Sequence, residues 1–149
     1  MIAKHAAKFF LDTNVLVYSF EEREPEKRDK ARELIEQALE SHTGVISWQV
    51  VQEFLNVALH KWKKPMGAVD AHEYLQITLL PICKIYPSAE TWMAALRIAE
   101  ESQYRFYDSL IVASAIQSGA SILYSEDLQQ GRRFGNLEIR NPFIESILA

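Results

Sequence analysis

Short apolar runs alternate along this sequence with longer segments whose apolar residues recur every three or four positions, and this alternation is the tightest constraint on its fold. Phe9-Phe10-Leu11 ends at Asp12-Thr13-Asn14, residues that favour caps and turns, and is followed by Val15-Leu16-Val17-Tyr18. The pattern predicts strand, turn and short helix. Residues 21–30 form a charged stretch, read as a solvated loop and helix face. Beyond it, Ala31, Leu34, Ile35, Ala38 and Leu39 fall at amphipathic-helix spacing. Gly44-Val45-Ile46-Ser47 predicts a buried strand. Val50, Val51, Phe54, Leu55, Ala58, Leu59 and Trp62 then mark a helix that ends near Lys63-Lys64-Pro65. A further helix is expected over about 66–78, a strand over 80–86, a helix from Glu90 behind Pro87-Ser88, and another over about 108–117. Gly119 suits a left-handed helix end. Ser121-Ile122-Leu123-Tyr124 is a strand that closes at Ser125-Glu126-Asp127, and Leu137-Glu138-Ile139 a last short one. Strands of this length alternating with helices predict an α/β fold, a parallel sheet covered by helices on both faces.

The chain has 149 residues, the size of one ordinary domain, so the expected organisation is a single domain over residues 1–149. A net charge of −4 argues against adhesion to nucleic acid through overall charge, so any such contact must be local. Cys83 is the only cysteine, which excludes an internal disulfide or a multi-cysteine metal site and suits a reducing cytoplasm. No signal-peptide core and no apolar run long enough to span a bilayer is visible, so no membrane association is expected.

In an open α/β sheet, sites form at the carboxyl ends of the strands. Asp12 and Asp127 follow predicted strands, and each taken alone is more commonly a cap or turn residue. Glu53 lies beside Val50 and Val57, at the edge of its helix's apolar face. Asp108 opens the almost wholly apolar helix Leu110-Ile111-Val112-Ala113-Ser114-Ala115-Ile116, where capping is the competing explanation. Four acids converging on one sheet edge would repel and raise one another's pKa unless a cation sits among them. Oxygen ligands of this kind favour Mg2+ or Mn2+, and no His or Cys stands at zinc-ligand spacing.

These residues carry a resemblance. Phe10-Leu11-Asp12-Thr13-Asn14-Val15-Leu16, Glu53 within Val50-Val51-Gln52-Glu53-Phe54, Tyr107-Asp108-Ser109-Leu110-Ile111-Val112-Ala113, and Leu123-Tyr124-Ser125-Glu126-Asp127-Leu128 resemble, in order and context, the PIN-domain family of metal-dependent ribonucleases. Within that family they are similar to the small VapC-like toxins. The resemblance covers nearly the whole chain, with the acids separated by 41, 55 and 19 residues. It implies a single-domain, Rossmann-like PIN fold whose acidic pocket binds Mg2+ or Mn2+ and cleaves single-stranded RNA. Carried over by position, Asp12, Glu53, Asp108 and Asp127 form the catalytic and metal-binding quartet, and Asn14 and Ser125 the polar supports. Glu126 stands next to Asp127 as a competitor for the fourth position. The resemblance also implies an antitoxin partner and a homodimer.

In such a reaction water attacks a phosphodiester in line while charge grows on the leaving oxygen, and the carboxylates hold metal rather than attack. Asp12 and Asp108 are assigned as principal ligands. Glu53 and Asp127 are ligands or groups that orient water, and Asn14 and Ser125 hydrogen-bonding supports. Lys61, Lys63, Lys64, Arg105, Arg132 and Arg133 are candidates for a basic rim, and Tyr104, Phe106 and Tyr107 for base stacking, against the commoner uses of such residues at helix ends and in cores. His5, His42, His60 and His72 read as surface residues and Cys83 as buried filler. Two other readings compete. A haloacid-dehalogenase-like phosphatase would carry Asp-x-Asp where this chain has Asp12-Thr13-Asn14. A catalytically silent PIN-like module would bind RNA or a protein without cutting.

Overall fold

The computed structural model describes residues 7–144. In chain order the elements are β1 (Phe9–Leu11), α1 (Thr13–Tyr18), α2 (Pro25–Ser41), β2 (Gly44–Ser47), α3 (Trp48–His60), α4 (Ala68–Tyr74), a π-helical turn (Leu75–Leu79) and α5 (Leu80–Ile82). They continue with β3 (Cys83–Ile85), α6 (Ala89–Ser102), α7 (Phe106–Gln117), β4 (Ile122–Tyr124), β5 (Arg133–Phe134) and β6 (Leu137–Arg140). The strands form one sheet in the order β3-β2-β1-β4-β6-β5. Every pairing is parallel except β5 with β6, a short antiparallel edge hairpin that the sequence pattern did not anticipate.

β1 is the central strand and all three of its residues are buried, as a strand covered on both faces requires. Phe9 pairs with Gly44 on one side and Ile122 on the other. Gly44 has to be glycine, because a side chain there would drive into Ala38 and the Phe9 ring. Phe10 and Leu11 of this strand, Ile46 and Leu123 of its neighbours and Leu16 of α1 are fully buried in the core.

The chain steps from β1 outward to β2 and β3, then crosses back to place β4 on β1's other flank. Right-handed crossovers in opposite directions put α2 and α3 on one face and α6 with α7 on the other. The strand order therefore reverses between β1 and β4, and the loops after those two strands open the crevice where α/β sheets bind ligands. Asp12 follows β1 and Ser125 follows β4.

Two expectations need correction. Residues 80–82 are helical, so only Cys83–Ile85 of the expected strand over 80–86 is strand. The apolar run Leu79-Leu80-Pro81-Ile82 misleads because Pro81 would clash with the preceding turn of a regular α-helix. Here the turn widens, and the Leu80 N–H returns to the Leu75 carbonyl, so the helix continues through the proline. α7 also starts at Phe106, two residues earlier than expected. Gly119 does sit in the left-handed region, at φ 80°.

Phe54 fixes the position of α3. Its ring is fully buried and lies 5.0 to 6.0 Å from the rings of Tyr74, Phe20 and Trp62. Burial of such a ring stabilises by about 1.5–3 kcal/mol, so α3 is held firmly against α1 and α4. Glu53, the preceding residue, is aimed by that anchor.

Candidate active site

Asp12 leaves β1 in extended conformation and caps α1, its Oδ1 accepting the Thr13 N–H at 2.7 Å. Its Oδ2 accepts the Ser125 hydroxyl at 2.8 Å. Asp12 is a cap, then, but capping uses only one of its oxygens. Asn14 bridges the crevice: its Nδ2 lies 3.1 Å from Asp127 Oδ2, 3.3 Å from Ser125 Oγ and 3.5 Å from Asp12 Oδ2. Its Oδ1 accepts the Glu126 N–H at 3.2 Å. The Ser125 Oγ in turn accepts the Asp127 N–H at 3.2 Å. One asparagine and one serine thus tie the loop after β4 to the first turn of α1.

Glu53 enters from α3, where its Oε1 accepts the Thr13 hydroxyl at 2.9 Å. Thr13 escaped the sequence reading, although its place in the first turn directly after β1 was a usable signal. Asp108 is the third residue of α7, and Arg105 takes the capping position without a side-chain bond, so capping does not account for Asp108. Asp127 is exposed, Glu53, Asp108 and Asn14 are half-buried, and Asp12 retains 9% of its surface.

Electrostatics links these acids. Burial, reinforced by the charges of Glu53 and Asp127 and opposed by the Ser125 and Thr13 hydrogen bonds, pushes the Asp12 carboxyl up to about 7. Burial and then the Asp127 charge also raise Asp108, against the pull of Arg105. Among the described residues none of the four acids takes part in an ion pair. Hard oxygens with unbalanced charge around a buried carboxylate are the donor set a small divalent cation requires. The carboxylates do not form a closed cage in this arrangement: among the described residues no three His, Cys, Asp or Glu side chains stand close enough to hold an ion together.

Glu126 is placed elsewhere. Its Oε2 accepts from Lys27 Nζ at 2.7 Å and its Oε1 from the Tyr18 hydroxyl at 2.6 Å. Partial burial pushes this carboxyl up, but the Lys27 and Tyr18 hydrogen bonds and the Lys27 charge outweigh it and leave it below its ordinary value. Asp127, not Glu126, faces Asn14.

The candidate basic rim is dispersed. Lys61, Lys63 and Lys64 line a groove with Arg23, Phe20 and Trp62, beyond the far end of α1 from Thr13. Arg132 lies over the Tyr104 and Phe134 rings, and Arg133 pairs with Glu138 at 3.2 Å. Cys83 is buried, and burial pushes its thiol up against the opposing Tyr86 hydroxyl and Lys84 charge, as expected for filler.

The family model for the PIN domain matches residues 9–133. Solved structures share the architecture over most of the chain. VapBC2 from Rickettsia felis, bound to a DNA fragment from its promoter, is 25% identical with a TM-score of 0.63, over 89% of this chain and 97% of that one. A toxin–antitoxin complex from Klebsiella pneumoniae is 18% identical with a TM-score of 0.64, over 91% and 98%. FitAB bound to an IR36 DNA fragment is 17% identical with a TM-score of 0.68, over 95% and 99%. No curated protein sequence matches the chain.

Proposed function

This chain belongs to the PIN domain family, and from that premise we propose that it is a divalent-metal-dependent endoribonuclease, the toxin of a toxin–antitoxin pair. The observation that carries the nuclease reading is the buried Asp12 carboxylate at the strand-order reversal, with Glu53 and Asp127 bearing on it and, among the described residues, no ion pair to balance any of the three. The toxin reading is supported by the likeness to VapBC2 from Rickettsia felis.

Asp12 and Asp108 are the proposed principal ligands of Mg2+ or Mn2+, with Glu53 and Asp127 completing the set or orienting water. Asp127 is exposed and Asp108 half-buried, so both can turn toward an ion without disturbing the core. A bound divalent ion supplies a Lewis acid that lowers the pKa of water and offsets charge on the phosphodiester. Thr13 holds the Glu53 carboxylate, and Asn14 and Ser125 hold Asp12 and Asp127 apart at hydrogen-bonding distance. Their preset geometry reduces the reorganisation needed as charge builds on the leaving ribose oxygen.

The test is cleavage of a mixed set of fluorescently labelled single-stranded RNAs by purified protein in Mg2+, Mn2+ or EDTA, beside Asp12→Asn and Asp108→Asn proteins of verified fold. We expect metal-dependent cutting that falls to background in both variants. Cutting that survives either substitution overturns the residue assignment. RNA binding without turnover in any metal would identify a silent binding module.

A further inference from the structure

Further along the same carboxyl edge, at the ends of β2 and β3, lies a groove of about 320 Å³ outside the acid cluster. Two edge-to-face pairs line it: Trp48 with Tyr86, ring centroids 5.6 Å apart, and Phe106 with Tyr107 at 5.5 Å, with Trp92 alongside. All five rings are exposed, from 39% at Phe106 to 65% at Tyr107. Clustered exposed aromatics of this kind mark a binding surface.

The chemistry of the lining narrows the occupant. Among the described residues no charged side chain contributes to it, and its polar groups are hydroxyls, the indole N–H groups of the two tryptophans and the amides of Gln49 and Gln52. The Gln49 amide donates to the Tyr107 carbonyl at 3.1 Å, while its Oε1, shielded from solvent, has no partner among the described residues. A phosphate would call for cations here, and an aliphatic segment has no use for amides. A nucleobase is planar, uncharged and edged with donors and acceptors, and aromatic rings bind its π-face whatever its identity.

Position supplies the second argument. Gln52 precedes Glu53 and Tyr107 precedes Asp108, so the opening turns of α3 and α7 carry both the acids and the groove. Neighbouring strands lie about 4.8 Å apart, which sets the groove roughly 5–10 Å from Asp12 along the edge. A strand with one phosphate among the acids reaches it with an adjacent base.

We propose that this groove is a base-stacking subsite that receives an unpaired nucleobase next to the scissile phosphodiester, with Trp48 and Tyr107 as its principal platforms. The assignment rests on the ribonuclease reading above. Trp48 and Tyr107 are exposed, so replacing either leaves the core intact.

The experiment is steady-state cleavage of one fluorescein-labelled single-stranded oligoribonucleotide in Mg2+ or Mn2+ by wild type, Trp48→Leu and Tyr107→Leu, repeated with a substrate abasic beside the cut. Loss of one stacking contact should raise KM about tenfold with kcat nearly unchanged, and the difference should vanish on the abasic substrate. Quenching of tryptophan fluorescence by the intact oligoribonucleotide, read with Asp108→Asn protein, should weaken in parallel. If wild type cleaves and both variants keep its KM, the subsite is refuted and the nuclease reading stands. If wild type neither cleaves nor binds, both fail. If the variants keep KM but shift the sedimentation of the protein from dimer to monomer, the groove joins two copies of this chain and the proposal is overturned.

Discussion

Glu126 and Asp127 are neighbours in sequence, yet the fold treats them in opposite ways. Glu126 is drawn into a small cluster with Tyr18 and Lys27, where a cation and a hydroxyl satisfy both of its oxygens. Asp127 turns to the other side of the loop, toward Asn14, Ser125 and Asp12, a cluster that among the described residues holds carboxylates and neutral donors but no cation. The first cluster is balanced by the chain itself, so it needs nothing else to be stable. The second leaves negative charge beside a buried carboxyl, an arrangement that costs stability unless a cation is supplied from outside. Placing lysine by one acid and withholding it from its neighbour separates structure from site, and each half of that comparison can be tested.

The largest expected effect is the pH dependence of the unbalanced cluster. Folding pushes the Asp12 carboxyl from 3.8 up to about 7, chiefly through burial, so the folded protein holds this proton more tightly than the unfolded chain. That contribution is fully present below the unfolded value and is lost as pH rises through 7, for a total of about 4 kcal/mol. In EDTA, urea unfolding of wild type should therefore lose stability between pH 4 and pH 8 relative to Asp12→Asn, which has no proton to lose. Added Mg2+ should flatten the wild-type decline by balancing the ionised form. Identical pH profiles for the two proteins would show that Asp12 is not under electrostatic stress.

Smaller, but specific to activity, are the neutral donors that hold the acids. Asn14→Ala and Ser125→Ala should each lower metal-dependent cleavage about 10–100-fold, the usual range for groups that orient ligands. Ser125→Ala carries an added signature. The Ser125 hydroxyl lowers the Asp12 pKa, so its removal should move the acid limb of the pH–rate profile upward. A uniform loss with no shift of that limb would assign Ser125 a purely structural part.

Much of this was legible in the sequence because it depends on local pattern. Gly44–Ser47 reads as a strand from its apolar run, and the alternation of elements implies a mainly parallel sheet with helices on both faces. Asp12 and Asp127 could be singled out because each follows a strand end, and strand ends in such sheets meet at a crevice, whereas Asn14 and Ser125 were implied only by the family resemblance. What stayed hidden depends on pairs distant in sequence or on backbone adjustments. The Thr13–Glu53 bond spans 40 residues, and the Lys27–Glu126 bond 99. The widened turn at Leu75–Leu79, which carries a helix through Pro81, has no signature in hydrophobic period, so an apolar run around a proline read as strand. Phe106 and Tyr107 were visible as stacking candidates, but their alignment with Trp48, Tyr86 and Trp92 required the sheet to bring α3, β3, α6 and α7 together.

The smallest expected effect tests the balanced half of the comparison. Glu126→Gln removes the charge that Lys27 answers while keeping an oxygen for the Tyr18 hydroxyl and the loop backbone in place. Both partners are partly exposed, with 29% and 24% of their side chains open to solvent, so solvent screens the pair. The substitution should cost no more than about 1 kcal/mol in urea unfolding, and less at high salt. Cleavage should stay close to wild type, because Glu126 reaches the acid cluster only through its backbone N–H, which Asn14 Oδ1 accepts and which glutamine preserves. The adjacent Asp127→Asn replacement changes one oxygen to an amide at an exposed position, so its cost to stability should be as small, yet cleavage should fall with it. If Glu126→Gln abolishes cleavage and Asp127→Asn does not, the two acids exchange roles, and the ion pair with Lys27 becomes a contact that must open for the enzyme to work.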